Sequence, residues 1–249
     1  MLDIQMDSKK TGGIQVSHVD RMFGKKLVLH DISLEVENAE IFGLLGPSGS
    51  GKTTLVKLIA GIDQATRGTI VVKGVQMPRR TMLQNIGYMA QSDALYGELT
   101  ARENLDFFAS LFGLSGKEKK HRMEEVMELV NLTDSMKKLV SAYSGGMKRR
   151  LSLAIAVLHR PDVLILDEPT VGIDPVLRMA IWDEFRTMSE QGTTIIVTTH
   201  VMDEADKCHR LGMIRDGRLM AVGTPDELKA NTHSSTVEEA FLVYGGAQQ

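Results

Sequence analysis

The sequence is short of cysteine and of excess charge, and each shortage excludes a class of protein. Its 249 residues hold one cysteine, Cys208, so an internal disulfide framework is excluded and a reducing compartment is indicated. The formal net charge is −3, which leaves no global basic field for non-specific binding of nucleic acid. With 43% hydrophobic and 24% charged residues, the composition is instead typical of a globular protein that buries a full core.

Long apolar runs are also missing. The longest, such as Val163–Leu166, are far shorter than the roughly 20 residues that span a bilayer. The N-terminal segment from Met1 to Gly13 is polar and lacks the apolar stretch of a secretory signal. We therefore expect the chain not to span a membrane alone, and expect any role at a membrane to depend on a partner protein.

Strand and helix patterns alternate along most of the chain, which predicts a parallel sheet with helical crossovers. Three short, partly alternating segments ahead of that sheet, Ile14–Val19, Leu27–Leu29 and Ile32–Val36, predict an antiparallel edge. From about residue 95 to residue 158 only helical periodicity is present. The predicted fold class is therefore α/β, with a parallel sheet at the core, an antiparallel β edge subdomain and an inserted α-helical subdomain.

A glycine-rich turn joins the apolar run Ile41–Leu45 to an amphipathic helix. The turn and the first residues of the helix are Gly46-Pro47-Ser48-Gly49-Ser50-Gly51-Lys52-Thr53-Thr54, which fits the phosphate-loop pattern. Glycines allow backbone amides to approach phosphate oxygens, and the helix N-terminus adds partial positive charge. Lys52 supplies a full charge between the phosphates, and the hydroxyl of Thr53 is a ligand for Mg²⁺. The pattern predicts a P-loop NTPase core that binds nucleotide.

Polar side chains follow the predicted strands where a doubly wound sheet binds its ligands, at the carboxyl ends. Asp167 and Glu168 come directly after Val163–Leu166, and His200 follows the next strand. We expect Asp167 to hold Mg²⁺, Glu168 to polarise the attacking water as a general base, and His200 to contact the γ-phosphate and that water. Gln91 also follows a strand and could reach the metal, although taken alone it is more typical of a surface glutamine.

The motifs together resemble those of the ATP-binding subunits of ABC transporters. The family's signature is similar to Tyr143-Ser144-Gly145-Gly146-Met147-Lys148-Arg149-Arg150, and its second nucleotide motif to Val163-Leu164-Ile165-Leu166-Asp167-Glu168-Pro169-Thr170. Gly172-Ile173-Asp174 resembles the D-loop, Gln91 the Q-loop and His200 the switch histidine. Phe23 lies where the family has an aromatic residue that stacks on adenine, and a place in the core of the edge strands is the alternative. The resemblance runs from about Gly13 to Lys229.

The resemblance implies an ABC ATPase domain over residues 13–230, with a core at 13–91 and 159–230 and a helical subdomain at about 92–158. In the tail, residues 231–249, the run Phe241–Tyr244 either packs as a short helix or meets a partner. ATP and Mg²⁺ are the implied cofactors, with Thr53, Gln91 and Asp167 at the metal and Lys52, Glu168 and His200 in hydrolysis. Ser144, Gly145 and Gly146 would cap the ATP of an opposing subunit, so we expect a head-to-tail dimer. A related cassette could be the partner, but all of the motifs look competent, which favours a homodimer.

Two positions depart from the family's commonest signature. Tyr143 replaces leucine, and Met147 replaces a glutamine whose side chain could donate to the ribose. Met147 followed by Lys148-Arg149-Arg150 resembles the ABC-2 subgroup, which serves exporters of drugs, polysaccharides and lipids. Without the resemblance, we interpret the run Lys148–Arg150 as a solvated helix face and not as a nucleic-acid patch.

The resemblance also implies a separate transmembrane permease subunit, and hence a cytoplasmic protein that is peripheral on the inner face of the cell membrane. In the family the helical subdomain accepts a short helix of that subunit, and Leu95–Leu99 is the candidate contact here. An importer subunit and a soluble ABC ATPase for cofactor assembly are alternatives to the exporter. A small-molecule kinase on the same phosphate loop would leave the Ser-Gly-Gly signature unexplained.

Overall fold

The structure is a computed structural model that describes residues 13–92 and 94–246. The polar N-terminal segment therefore lies outside the described residues apart from Gly13, as does the end of the tail at 247–249. The strands are β1 (Ile14–Phe23), β2 (Lys26–Val36), β3 (Ile41–Leu45), β4 (Arg67–Val72), β5 (Val75–Gln76), β6 (Ile86–Met89), β7 (Val163–Asp167), β8 (Thr194–Thr199), β9 (Arg210–Arg215) and β10 (Arg218–Gly223).

The α-helices are α1 (Lys52–Ile59), α2 (Ala101–Leu111), α3 (Gly116–Leu129), α4 (Gly145–Val157), α5 (Pro175–Glu190), α6 (Met202–Ala205), α7 (Pro225–Asn231) and α8 (Val237–Tyr244). Short 3₁₀ turns occupy Arg80–Gln84, Thr133–Ser135 and Val140–Ala142. Within the described part of the chain, no helix combines the length and the apolar character needed to cross a bilayer.

The main sheet has the strand order β10-β9-β3-β8-β7-β6. All neighbours from β9 to β6 are parallel, and β10 runs antiparallel to β9 at the edge. Every residue of β3, β7 and β8 is buried, as their continuous apolar sequences require when helices or a second sheet cover both faces. The predicted parallel sheet is confirmed.

The second sheet is antiparallel, in the order β2-β1-β4-β5, which confirms the predicted edge. However, Leu27–Leu29 and Ile32–Val36, expected as separate segments, belong to the single strand β2. His18 of β1 and Asp31 of β2 adopt left-handed φ angles of 50° and 48°, and the pairing shifts register between the strands. These irregularities interrupt the alternation of polar and apolar residues, so one long strand looks like two in the sequence.

The core lies on both faces of the main sheet. Phe42 and Leu44 of β3 pack with α1 and with the antiparallel sheet, so that α1 is enclosed between the two sheets. Ile41 and Leu45, which point the other way, belong to the cluster that includes α4 and α5. The helix that follows the glycine-rich turn is thereby held from both sides.

Helices α2, α3 and α4 form the block that the helical periodicity predicts. Buried Arg122 of α3 joins two of them, because its Nε and Nη2 donate to the carbonyls of Leu158 and Val157 at 3.0 and 2.7 Å. These carbonyls belong to the C-terminal end of α4, where a cation is favourable.

The C-terminal helix α8 contains Phe241–Tyr244, as one of the two expectations for this segment required, and packs against α6 and α7. Cys208 lies between α6 and β9 and is 5% exposed. Its Sγ lies 3.5 Å from the carbonyl of Glu204, and burial raises the pKa of the thiol well above its ordinary value. The chain's one thiol is therefore an interior group.

Candidate nucleotide-binding and hydrolysis site

The carboxyl ends of four parallel strands lie side by side at one edge of the main sheet. The residue pairs at these ends are Leu45–Thr199 between β3 and β8, Thr198–Asp167 between β8 and β7, and Leu166–Met89 between β7 and β6. This register brings the phosphate loop into one row with Glu168, His200 and Gln91, each of which follows one of these strands. The fold thus brings the polar residues that follow these strands to a common edge of the sheet, as predicted from the sequence.

The phosphate loop needs its glycines for two different reasons. Gly49 and Gly51 have φ angles of 79° and 106°, which residues with a Cβ rarely adopt. Gly46 is required by space, because a Cβ there would lie 2.2 Å from the carbonyl oxygen of Ile214. The loop therefore turns sharply between β3 and α1 and presents the amino end of α1, an arrangement suited to an anion.

Lys52, the first residue of α1, is 5% exposed and bends back over the loop. Its Nζ donates to the carbonyls of Gly46 and Pro47 at 2.7 and 3.0 Å. Burial lowers the pKa of Lys52, and the carboxylates of Glu168 and Asp167 oppose that shift. The lysine is thus a desolvated cation between the loop and the acidic pair, where a phosphate group would find few competing water molecules.

Three buried oxygen atoms at or beside this edge have no hydrogen-bond partner among the described residues: Oγ of Ser50, Oη of Tyr88 and Oδ2 of Asp167. Unpaired buried polar atoms are costly and rare, and a bound ligand or ion is one way to satisfy them. Nearby, burial together with the Asp167 carboxylate raises the pKa of Tyr88 to about 12. The donor set, with a free carboxylate oxygen facing a phosphate loop, fits Mg²⁺ bound together with a nucleotide.

The acidic pair is held by Thr198 of the neighbouring strand. The hydroxyl of Thr198 donates to Oδ1 of Asp167 and accepts from the backbone N–H of Glu168 at 3.1 Å. Glu168 adopts a left-handed φ of 55°, an uncommon conformation that directs its side chain away from the path of the strand. Its Oε1 lies 3.2 Å from Nδ1 of His200, and the side chains of Glu168 and His200 are 14% and 48% exposed. The carboxylate and imidazole therefore form a partly exposed pair beside the loop.

A buried carboxylate that sequence reasoning missed joins the segments that carry Glu168 and His200. Glu204 of α6 is 1% exposed, and its two carboxylate oxygens accept from the hydroxyls of Thr170 and Thr199, the latter at 2.7 Å. Thr170 follows Glu168 by two residues, and Thr199 immediately precedes His200. Glu204 thus bridges the two segments behind the exposed pair.

Arg149 is the clearest correction to the sequence prediction. It is buried, at 7% exposure, so its assignment to a solvated helix face is wrong. Its guanidinium donates to main-chain carbonyls at the ends of β6 and β7, whereas the adjacent Arg150 reaches the carbonyls of Val130 and Asn131 after α3. Lys148 and Arg150 are half-buried.

The predicted signature residues begin α4. Ser144 is the N-cap, with its Oγ accepting from the N–H of Met147 at 3.3 Å, and Ser144 and Gly145 are exposed. Gly146 lies against the D-loop candidate, because a Cβ there would come within 3.0 Å of the carbonyl oxygen of Gly172. The signature is thus an exposed helix N-terminus beside a second turn, separate in the fold from the phosphate loop.

The remaining candidate residues occupy the same region to different degrees. Gln91 is exposed after β6, and Thr53 and Thr54 are half-buried in the first turn of α1. Phe23, at the end of β1, is 49% exposed, which excludes the alternative that it is a core residue. One face of its ring is covered by the guanidinium of Arg21 at 4.3 Å, and Arg21 is itself paired with Asp63 at 2.7 Å.

A glycine-rich turn between a buried strand and an enclosed helix, with a carboxylate pair after a neighbouring strand, defines a protein of the P-loop nucleotide-binding class. The family model described as ABC transporter matches residues 29–171, more than half of the chain. The chain belongs to the ABC transporter family.

Curated relatives carry transporter names. The linearmycin resistance ATP-binding protein LnrL of Bacillus subtilis is 40% identical over 241 residues, which cover 92% of this chain and 78% of that protein. The Nod factor export ATP-binding protein I of Paraburkholderia xenovorans is 42% identical over 231 residues, with 92% and 76% covered. The probable multidrug ABC transporter ATP-binding protein YbhF of Escherichia coli is 39% identical over 236 residues, but the chain spans only 41% of its length.

Solved structures share the fold. An ATP-binding subunit of an ABC transporter matches 93% of this chain and 99% of its own with a TM-score of 0.87 at 26% identity. The dimeric structure of MJ0796, a bacterial ABC transporter cassette, matches 85% and 98% with a TM-score of 0.80 at 24% identity. The expected fold class, an α/β P-loop NTPase core with an antiparallel edge and inserted helices, is confirmed.

Proposed function

We propose that this chain is the ATP-binding and ATP-hydrolysing subunit that powers a membrane exporter of the ABC-2 type. The observation that carries the proposal is the common sheet edge, where the phosphate loop and Lys52 lie beside Asp167, Glu168 and His200. The names of the relatives, which concern multidrug transport, linearmycin resistance and Nod factor export, support export over import.

In this proposal each group at the sheet edge has a task in hydrolysis. The amides of the phosphate loop and the ammonium of Lys52 bind the phosphates and offset their charge. Glu168 accepts a proton from the water whose oxygen bonds to the γ-phosphorus as the bond to the bridging oxygen of ADP breaks. His200 orients Glu168 through the 3.2 Å contact between Nδ1 and Oε1, and its exposed edge can donate to the γ-phosphate.

Thr53, Gln91 and Asp167 are the residues that would hold Mg²⁺. When bound, Mg²⁺ would neutralise negative charge that develops on the phosphate groups during hydrolysis. The buried, unpartnered Oδ2 of Asp167 supports this assignment. Thr53 follows Lys52 in the first turn of α1, and Gln91 follows β6 at the same edge of the sheet.

The signature supports a head-to-tail dimer. Its exposed residues Ser144 and Gly145 begin a helix and can bind an anion, yet they lie apart from the phosphate loop of the same chain. A second copy in the opposite orientation would bring them to the γ-phosphate held by the first. ATP would then join the subunits, and its hydrolysis would release them.

An apolar surface formed by α2 and the segment before it is the contact proposed for the membrane subunit. Tyr96, Phe107 and Leu111 are 45%, 44% and 62% exposed, and the Tyr96 and Phe107 rings meet edge to face at 5.2 Å. Buried Asn104 holds the segment before α2, since its side chain bonds both the N–H and the carbonyl of Tyr96 at 2.9 and 3.0 Å. An apolar surface whose backbone is held in this way suits docking of a short amphipathic helix.

Replacement of Glu168 by glutamine tests the proposal, because it removes the proton acceptor and keeps the size of the side chain. We expect kcat for phosphate release to fall by about 10²–10⁴-fold while ATP still binds, so that the variant accumulates as a dimer in saturating ATP. Phosphate release and molecular mass by light scattering measure the two effects. Glu190→Gln at the exposed end of α5 is the matched control.

Two outcomes would contradict this assignment. Normal turnover by Glu168→Gln would remove Glu168 from the reaction. A phosphorylated small-molecule product in place of free phosphate would indicate a kinase.

A further inference from the structure

Arg149 is a buried cation that the hydrolysis mechanism above does not use. It lies in the second turn of α4, within the signature segment, and is 7% exposed. A buried guanidinium is costly unless its donors are satisfied. The partners that satisfy it therefore indicate why it is there.

Those partners come from two neighbouring strand ends. Nη1 donates to the carbonyls of Ala90 and Gln91 at 2.7 and 3.0 Å, just beyond β6. Nη2 donates to the carbonyls of Asp167 and, at 2.7 Å, Glu168, at the end of β7. Three of these four carbonyls belong to residues proposed to hold the metal or to activate water.

The planar shape of arginine suits this task. Its two terminal nitrogens diverge in one plane, so each can serve one strand end while the distance between the ends stays fixed. Lysine has a single point of attachment and cannot reach both pairs of carbonyls at once. All four of these hydrogen bonds go to main-chain carbonyls, so they fix the path of the backbone and do not occupy the side chains of Gln91 and Glu168.

The neighbouring arginine provides a comparison within the same helix. Arg150 donates to the carbonyls of Val130 and Asn131, which end α3 inside the helical block. Adjacent residues of α4 thus reach in two directions, one toward the nucleotide edge and one toward the helices. Arg149 is the one that connects the signature helix to the metal and water positions of its own chain.

We propose that Arg149 is a positioning residue that sets the backbone of Gln91 and Glu168 from the signature helix. This inference rests on the proposed function, because the proposed function assigns Gln91 to the metal and Glu168 to the attacking water. Any movement of α4 on contact with a second subunit is passed to both loops through one guanidinium. The loss of Arg149 should thus disturb metal-dependent nucleotide binding and turnover together, and leave metal-free nucleotide binding intact.

The experiment compares Arg149→Lys and Arg149→Met with Arg150→Lys and Arg150→Met in the full chain. Binding of a fluorescent ATP analogue is measured in EDTA and across a Mg²⁺ titration, with phosphate release and thermal midpoint on the same samples. For both Arg149 variants we expect unchanged affinity in EDTA, a higher Mg²⁺ midpoint, and kcat lower by about 100-fold, the scale of a misplacement near 1 Å. Arg150 variants should keep the wild-type Mg²⁺ midpoint and kcat.

Three results would overturn the inference. If Arg149 positions these loops, Arg149→Lys must differ from Arg150→Lys in Mg²⁺ midpoint and in kcat, so equal values in the two variants would refute the inference. Loss of folding in both Arg149 variants would show a purely structural role. So would nucleotide binding that is weakened as much in EDTA as in Mg²⁺. Absence of phosphate release from the wild type would instead contradict the proposed function, while the Mg²⁺ titration would still decide the role of Arg149.

Discussion

Glu204 offers the most direct test of how the acidic and histidine segments are held together. The proposed perturbation is Glu204→Gln, which preserves shape but replaces one carboxylate oxygen with an amide NH₂ group. Because both oxygens accept from hydroxyls, of Thr170 and Thr199, the amide nitrogen must face a donor. The hydroxyl of Thr199 also accepts from the N–H of Val201 at 2.9 Å, so it has little freedom to turn round.

The size of the effect follows from these contacts. A hydrogen bond to a charged group contributes about 1.5–3 kcal/mol, and a buried group left without a partner costs about 1–3 kcal/mol. Removing a buried charge relieves part of the desolvation cost, so we expect a net loss of about 1–3 kcal/mol in the free energy of unfolding. For a chain of this length that loss lowers the thermal midpoint by about 2–12 °C.

Activity should also fall, because Glu204 fixes the segments that carry Glu168 and His200. We expect kcat for ATP hydrolysis to drop by about 10–100-fold in the folded variant, with little change in ATP affinity. Calorimetry and phosphate release measure the two effects, and a double-mutant cycle with Thr199→Val isolates the coupling between the partners. Glu227→Gln is the control, since glutamine also completes the capping box of α7. A Glu204→Gln protein with the thermal midpoint and kcat of that control would refute the reasoning.

Three further predictions concern other parts of the chain. Burial lowers the pKa of His159 from 6.5 to about 4, so the folded state loses up to about 3 kcal/mol of stability as the pH falls from 6.5 toward 4. His159→Gln should reduce this loss, as measured by urea unfolding at a series of pH values. Phe23→Ala should weaken ATP binding by about 1–3 kcal/mol, measured by calorimetry, whereas Phe23→Tyr should retain the affinity and an unaffected alanine variant would exclude stacking. Tyr96→Glu should keep ATP binding but abolish co-purification with the membrane subunit from detergent extracts, which exposed Ile62→Glu should leave unchanged.

The main sheet could be predicted from sequence because its central strands are covered on both faces. A strand such as β3 is then a continuous apolar run, and the polar residues that follow it stand out. The antiparallel sheet was harder, because its bulges at His18 and Asp31 disturb the alternation that marks a half-buried strand. Local pattern is informative where burial is uniform and fails where the backbone is irregular.

The nucleotide-site candidates could be found because they lie within short contiguous motifs. Arg149 and Glu204 could not, because charged residues in polar stretches are normally solvated and their partners are distant in sequence. For Arg149 a signal was available. From Leu153 to the end of α4 every residue is apolar and buried, and a helix that is buried all round leaves few solvated positions in its earlier turns.

The interior position of Cys208 makes this chain convenient for spectroscopy. The thiol is 5% exposed and burial raises its pKa, so it forms little thiolate near neutral pH. Maleimide and methanethiosulfonate reagents should therefore not react with it. Cysteines could then be introduced in place of Lys57 on α1 and Lys117 on α3, which are both exposed. Spin labels would attach to these two positions and not to Cys208. Pulsed dipolar distances between them could follow the helical block as nucleotide is added, in the otherwise unaltered polypeptide.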